Sequence, residues 1–290
     1  MKIGLHDSDG TGFKYPNLAL MKISAWHKSQ GDRVEWWSPL LQYDKVYSAK
    51  VFTFTDEDPY LPKDAIKGGT GYGNYNELPK EIDDIFPDYS IYPACDYAIG
   101  FLTRGCPNKC PWCVVPRKEG AIRPYQTFEQ IKRPDSNKIV FMDNNVLACD
   151  HGLSEIERLG KTKIKVDFNQ GLDARLITPS VAKILGQVHW LNPLRMACDQ
   201  KSQMPYVERA VALLRESKCT PKNYSCYVLV KDIDDALERV EFLRSIGVDP
   251  FAQPYRDFEN KIEPTEEQRR FARWVNMKAI FKTVKWEDYR

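Results

Sequence analysis

The chain has no apolar run near the roughly 18 residues that a membrane span requires. Its opening segment, MKIGLHDSDG, lacks the basic, apolar and small-residue order of a secretory signal. Both absences predict a cytoplasmic protein without a membrane partner, in a compartment that keeps thiols reduced. Net charge is nearly absent: 42 Lys and Arg against 40 Asp and Glu leave +2, which neither favours nor excludes nucleic acid. Histidine is scarce. His6, His27, His151 and His189 show no metal-ligand spacing, and only His6, beside Asp7 and Asp9 at a strand end, stands out. There is no internal repeat and no low-complexity segment.

A length of 290 residues, 42% of them hydrophobic, is enough for two lobes or one large α/β unit. Residues 1–93 hold 10 Lys and Arg against 14 Asp and Glu, a balance of −4 that leaves +6 for the remainder. In this first part, strands are expected at 2–6, 34–37 and 45–54, with a helix over 17–30. A loop carries Gly68, Gly69, Gly71 and Gly73, and the Pro- and Tyr-rich stretch 87–93 reads as a linker. Beyond it, strand, loop and helix alternate. Strands are expected at 97–102, 138–142, 163–169, 188–196, 225–230 and 250–254. Helices fill the intervals, and a last helix over 265–283 opens with a Thr265/Gln268 capping box. Such alternation implies parallel pairing through right-handed crossovers, and this many units in under 200 residues fit a partial (β/α)6 barrel of the TIM type.

Cysteine is what the chain has in a telling place. Three of its eight cysteines fall in Cys106-Pro-Asn-Lys-Cys110-Pro-Trp-Cys113, in the loop after the first barrel strand. Active sites of α/β barrels are built from such loops. Reduced thiolates are soft ligands that suit zinc or iron–sulfur clusters. Structural zinc wants a fourth ligand, and the nearest cysteine, Cys95, lies across a strand. Three ligands suit a cubane with one iron left open. The other cysteines, Cys95, Cys149, Cys198, Cys219 and Cys226, lack tight pairing and read as small buried residues.

The Cys-x3-Cys-x2-Cys motif, with Trp112 just before the third cysteine, resembles the radical S-adenosylmethionine (SAM) superfamily. The flank GFLTRGCPNKCPWCVVPRKEG is similar to the branch with a cobalamin-binding-like N-terminal domain, and FMDNNVLA, DFNQGLDARL and RMACD resemble that branch's next strands. The likeness implies an α/β protein: a small Rossmann-like, cobalamin-binding-like domain over 1–93, a partial radical SAM barrel over 94–260 and a helical extension over 261–290. It implies that Cys106, Cys110 and Cys113 bind a [4Fe-4S] cluster whose open iron takes SAM. Reductive cleavage, fed by a donor such as flavodoxin or ferredoxin, then yields a 5′-deoxyadenosyl radical that abstracts hydrogen from the substrate.

By the same likeness Trp112 lies near the adenine. Asp143, Asn144 and Asn145 stand where the family often has Gly-Gly-Glu, and Asp143 is expected to accept from the SAM ammonium. Asn169, Gln170 and Asp199 fall where SAM's carboxylate, its ribose or the substrate is held. Arg175 could pair with a carboxylate, and Gln253 and Tyr255 lie on the adenine side. No catalytic residue is assigned.

The branch's Asp-x-His-x-x-Gly cobalt signature is missing from 1–93, so cobalamin is not expected, although the Gly68-Gly69 loop resembles the one that meets its tail. The competing readings are a cobalamin-dependent methyltransferase and a non-catalytic iron–sulfur or zinc protein. Basic residues at 104–133 and basic residues mixed with aromatics at 269–290 raise a nucleotide or nucleic-acid substrate. Against that, helical spacing puts Phe271, Trp274 and Phe281 on an inner face.

Overall fold

The computed structural model describes residues 1–10, 15–257, 260 and 262–289. The protein is mixed α/β with parallel sheets, and the chain divides into two compact units, Met1–Ala98 and Ile99–Arg290. Arg290, part of the C-terminal basic stretch, lies outside the described residues.

In the first unit, β1 (Lys2–Asp7), β2 (Arg33–Trp36), β3 (Lys45–Ala49) and β4 (Ile66–Gly68) form a parallel sheet in the order β2-β1-β3-β4. Ile3 and Leu5 of the central strand are fully buried. Helix α1 (Leu18–Ser29) starts at Asn17, whose side chain accepts from the Leu20 N–H at 3.2 Å, and it buries Leu20, Met21 and Ile23. A short α2 (Lys80–Asp83) follows the sheet. The strand expected over 45–54 ends at Ala49. The Asp9 carboxylate takes the N–H groups of Val51 and Phe52 (2.6 and 3.4 Å) and the Thr55 hydroxyl (2.6 Å), which draws the chain out of the ladder.

In the second unit, β5 (Ala98–Gly100) leads to a two-strand antiparallel pair, β6 (Thr103–Arg104) and β7 (Arg123–Pro124), flanking the short α3 (Val115–Lys118). After α4 (Phe128–Ile131) come β8 (Lys138–Phe141), α5 (Asp150–Gly160), β9 (Lys165–Phe168), α6 (Pro179–Gly186) and β10 (His189–Trp190). These strands make a sheet in the order β10-β9-β8-β5. Then β11 (Leu194–Ala197), α7 (Met204–Glu216), β12 (Tyr224–Val230), α8 (Ile233–Ser245) and β13 (Asp249–Pro254) make a parallel sheet in the order β11-β12-β13. Burial alternates residue by residue along β12, the period-2 pattern of a strand with unlike faces.

The strand expected over 188–196 is two. It breaks at Asn192-Pro193, where proline offers no N–H and the Asn192 side chain turns to Asp167 at 2.7 Å. Across the break, Leu172 bridges in parallel to Met196 and donates to the Arg195 carbonyl at 2.7 Å. The last expected helix is also two, α9 (Glu266–Asn276) and α10 (Lys278–Thr283), interrupted at Met277 with ψ 82°. The Asn276 side chain grips both backbone groups of Ala252 on the edge strand β13, at 2.9 and 3.0 Å, as a further strand would. Phe271, Trp274 and Phe281 are core residues, so they offer no faces to nucleic-acid bases.

Candidate functional site

The cysteines stand in the loop between β6 and β7, and its neck is tightly made. Gly105 has φ +83°, and a Cβ there would lie 2.2 Å from the Ala121 carbonyl oxygen. Only glycine fits. Opposite it, Cys106 N–H donates to Gly120 O at 3.2 Å. Glu119 staples the same neck. Its carboxylate accepts two bonds from Arg104 (3.0 and 2.9 Å), one from Gly105 N–H (3.0 Å) and one from Asn144 Nδ2 (2.8 Å). A bidentate guanidinium–carboxylate pair with further donors is among the firmer polar arrangements.

Asp143, two residues after β8, is 4% exposed. It holds the chain entering the loop: Oδ2 accepts from Leu102 N–H at 3.1 Å, and Oδ1 from Thr103 N–H and Oγ1 at 2.5 and 2.7 Å. Burial pushes its carboxyl up to about 6, against the pull of the Thr103 hydroxyl and the Leu102 and Thr103 N–H groups. The carboxylate expected to meet an ammonium is thus turned to backbone, and Asn144 is likewise committed to Glu119.

Asn145 is the member of that trio facing a cysteine. Its Nδ2 lies 3.7 Å from Cys106 Sγ and donates to Asp173 Oδ2 at 3.2 Å, while its buried Oδ1 has no partner among the described residues. Asp173 is a hub. It also accepts from Asn108 Nδ2, inside the cysteine loop, at 3.2 Å and from Arg175 through Nε and Nη2 at 2.8 and 2.6 Å. Burial pushes the Asp173 carboxyl up, but the Arg175 and Asn108 bonds outweigh it and hold it below the usual range.

Cys106 and Cys110 are half-buried and Cys113 is exposed. Burial raises the Cys110 thiol, Cys113 adds to this and Arg175 opposes it. Burial also raises Cys113, against the Val115 N–H, with Cys106, Asp199 and Glu119 adding repulsion. Crowded thiols resist becoming thiolates together unless a cation joins them. Among the described residues, no three Cys, His, Asp or Glu side chains already stand in metal-holding geometry.

Beside the loop lies a cleft of about 450 Å³ lined by Trp112, Asp199, Leu229, Lys231, Asp232 and Arg239. The Lys231 ammonium sits over both Trp112 and Tyr255, 5.6 and 4.1 Å from the ring centres. Asp199 accepts from Leu229 N–H at 2.9 Å, and burial raises its carboxyl. Arg239 is 1% exposed and ties the ends of β11 and β12 by donating to the carbonyls of Cys198 (2.7 Å) and Leu229 (3.0 Å).

The fold therefore gathers Trp112 and Asp199 around one cleft, sets Tyr255 against its Lys231 and places Asn145 against Cys106. It does not gather the rest. The Asn169 side chain points to Met142 Sδ at 3.8 Å and the Asn169 backbone carbonyl accepts from Tyr227 OH at 2.7 Å, while Gln170 and Gln253 are exposed. Cys198, Cys219 and Cys226 are buried core thiols, the first two pushed up to about 12 by burial.

Sequence reasoning passed over Glu119, Asp173, Lys231 and Arg239. Only Arg239 carried a local signal, its i,i+4 spacing from Asp235, which ordinary surface pairs share. In comparison with known proteins, no family model matches the chain and no curated protein matches it.

Proposed function

We propose that this protein is a radical SAM enzyme in which Cys106, Cys110 and Cys113 hold a [4Fe-4S] cluster. The observation that carries this is a single one: three soft donors share one loop whose neck is fixed by Gly105 and Glu119, with a buried, partnerless amide oxygen on Asn145 beside the first of them. The donor set fits the group. Cys110 and Cys113, whose protonation is favoured by burial and crowding, gain from a cationic centre shared with Cys106, and Asn145 Oδ1 is an acceptor waiting for an N–H or O–H. When bound, the cluster supplies the electron that cleaves SAM to a 5′-deoxyadenosyl radical for hydrogen abstraction.

The chain's residues divide the remaining work. Asp143 and Glu119 position the loop through its backbone; Asp173 couples Asn108 to Asn145 and Arg175. Trp112, Lys231 and Asp199 line a cleft with a π face, a cation backed by the Tyr255 ring and a carboxylate, which suits a nucleoside carrying hydroxyls and an ammonium. On this reading β5, β8, β9, β10 with β11, β12 and β13 are the strands of a partial (β/α)6 barrel. The first unit is its Rossmann-like, cobalamin-binding-like partner, without cobalamin. The enzyme works in the cytoplasm with a donor such as flavodoxin or ferredoxin.

For the substrate, we retain a nucleotide or nucleic acid on narrower grounds. Phe271, Trp274 and Phe281 of the C-terminal stretch are core while Trp286 and Tyr289 are half-buried, and Arg104 and Arg133 are paired to Glu119 and Asp135. Lys109 remains exposed in the loop, and Lys132 is exposed at the end of α4. Anaerobic protein, reconstituted with iron and sulfide and reduced in the presence of SAM, is expected to release 5′-deoxyadenosine. Intact SAM after reduction of a fully loaded protein would overturn the assignment.

A further inference from the structure

A second site is built into the first unit. In the sheet order β2-β1-β3-β4, the chain leaves β1 for β2 on one side and reaches β3 on the other. The ends of β1 and β3 therefore flank a topological switch point, where open parallel sheets leave a crevice for ligands. His6, Ser8, Ser48 and Lys50 stand there, joined by Tyr72. The Tyr72 hydroxyl meets Ser8 Oγ and Ser48 Oγ, each at 2.8 Å, and Ser48 Oγ meets His6 Nδ1 at 2.9 Å.

Lys50 is the anomaly. It is 4% exposed, and the glycine turn 68–73 wraps it so closely that a Cβ at Gly71 would lie 2.4 Å from its Cγ. Its ammonium lies 5.3 Å from the centre of the Tyr72 ring and makes no ion pair or hydrogen bond with the described residues. The neighbouring acids are engaged elsewhere: Asp7 by Tyr92 (2.6 Å), Asp9 by Val51, Phe52 and Thr55, Asp58 by His6 (3.5 Å) and Glu57 by Lys67 (3.3 Å). Lys67 places a second cation 5.1 Å from the same ring centre. The Lys50 side chain is thus largely buried while no acid of the described residues answers its charge, and a bound anion would supply that counter-charge.

We propose that this crevice binds a small oxyanion, the phosphate or carboxylate group of a ligand, with Lys50 as its counter-charge and the Tyr72–Ser48–Ser8 hydroxyls as donors. The site is independent of the cluster, and the intact protein tests it without iron. Inorganic phosphate and acetate are titrated into wild type, Lys50→Met and Tyr72→Phe, with heat of binding and thermal midpoint as readouts. Phosphate, acetate or both should bind wild type and raise its midpoint. Binding to phosphate alone identifies a phosphoryl group, and equal binding of acetate a carboxylate. Lys50→Met should bind at least about tenfold more weakly, while its own midpoint without anion is no lower than that of wild type. Tyr72→Phe keeps the ring and should lose about fivefold; it decides the matter if Lys50→Met does not fold. No binding to wild type, or affinities unchanged in the variants that fold, would overturn the proposal.

Discussion

Asp143 accepts both the backbone N–H and the hydroxyl of Thr103, at 2.5 and 2.7 Å, from a position forty residues further along the chain. That contact joins the end of β8 to the entry of the cysteine loop, and it titrates. The buried carboxyl has its folded pKa raised from 3.8 to about 6, so it binds a proton more tightly folded than unfolded. Its contribution to stability is fully present below about pH 3.8 and is lost as pH rises through about 6, on the order of 3 kcal/mol over the range. Asp143→Asn cannot titrate and offers one acceptor oxygen in place of two. Denaturant unfolding of both proteins should show the wild-type advantage growing as pH falls from 8 to 5. A gap that stays constant with pH would contradict this account of Asp143.

Glu119→Gln tests the neck. The substitution removes the charge facing Arg104 and one acceptor for the Gly105 N–H, an expected loss of about 1.5–3 kcal/mol. The loop should also become more sensitive to proteolysis between Arg104 and Arg123, while the first unit keeps its own resistance. Wild-type cleavage rates would show that the neck is held by Gly105 alone.

Gly105→Ala should be worse. A Cβ at 2.2 Å from the Ala121 carbonyl oxygen forces the backbone apart, on top of a left-handed φ. The combined cost is about 2–4 kcal/mol, read as a lower unfolding midpoint and weaker iron retention. An unchanged midpoint would mean that the neck opens freely.

Arg239→Met leaves the Cys198 and Leu229 carbonyls without their donor and Asp235 without its partner. Because Arg239 is buried and Asp235 is partly exposed, the loss is expected at about 2–4 kcal/mol. Calorimetry checks it, and a change under 0.5 kcal/mol, the usual scatter of surface substitutions, would show that water replaces the guanidinium.

Much of the strand succession could be read from the sequence, because apolar periodicity and the Thr265 capping box are local signals. The break in the strand expected over 188–196 was readable too, since Pro193 cannot donate to a ladder. The early end of β3 was not, because it depends on Asp9, more than forty residues earlier. Nor was the halt at Met277, where no Pro or Gly punctuates the helix. At the site, residue type announced the three thiols. The aim of a carboxylate was hidden: Asp143, Glu119 and Asp173 could each face a ligand or the backbone, and only the fold turns them to Thr103, Arg104 and Asn108. Asn145 was named with its neighbours for one shared reason, and the fold separates it from them.

The most direct test of the account is metal and sulfide analysis of anaerobically reconstituted wild type beside Cys110→Ala. Wild type should hold about four irons and four acid-labile sulfides per chain, with a broad visible absorbance that dithionite bleaches. Cys110→Ala should lose all three signals while its far-ultraviolet circular dichroism stays that of wild type. A colourless wild-type protein carrying one tightly held zinc, or a Cys110→Ala protein that keeps its iron, would contradict the assignment of Cys106, Cys110 and Cys113 to an iron–sulfur cluster.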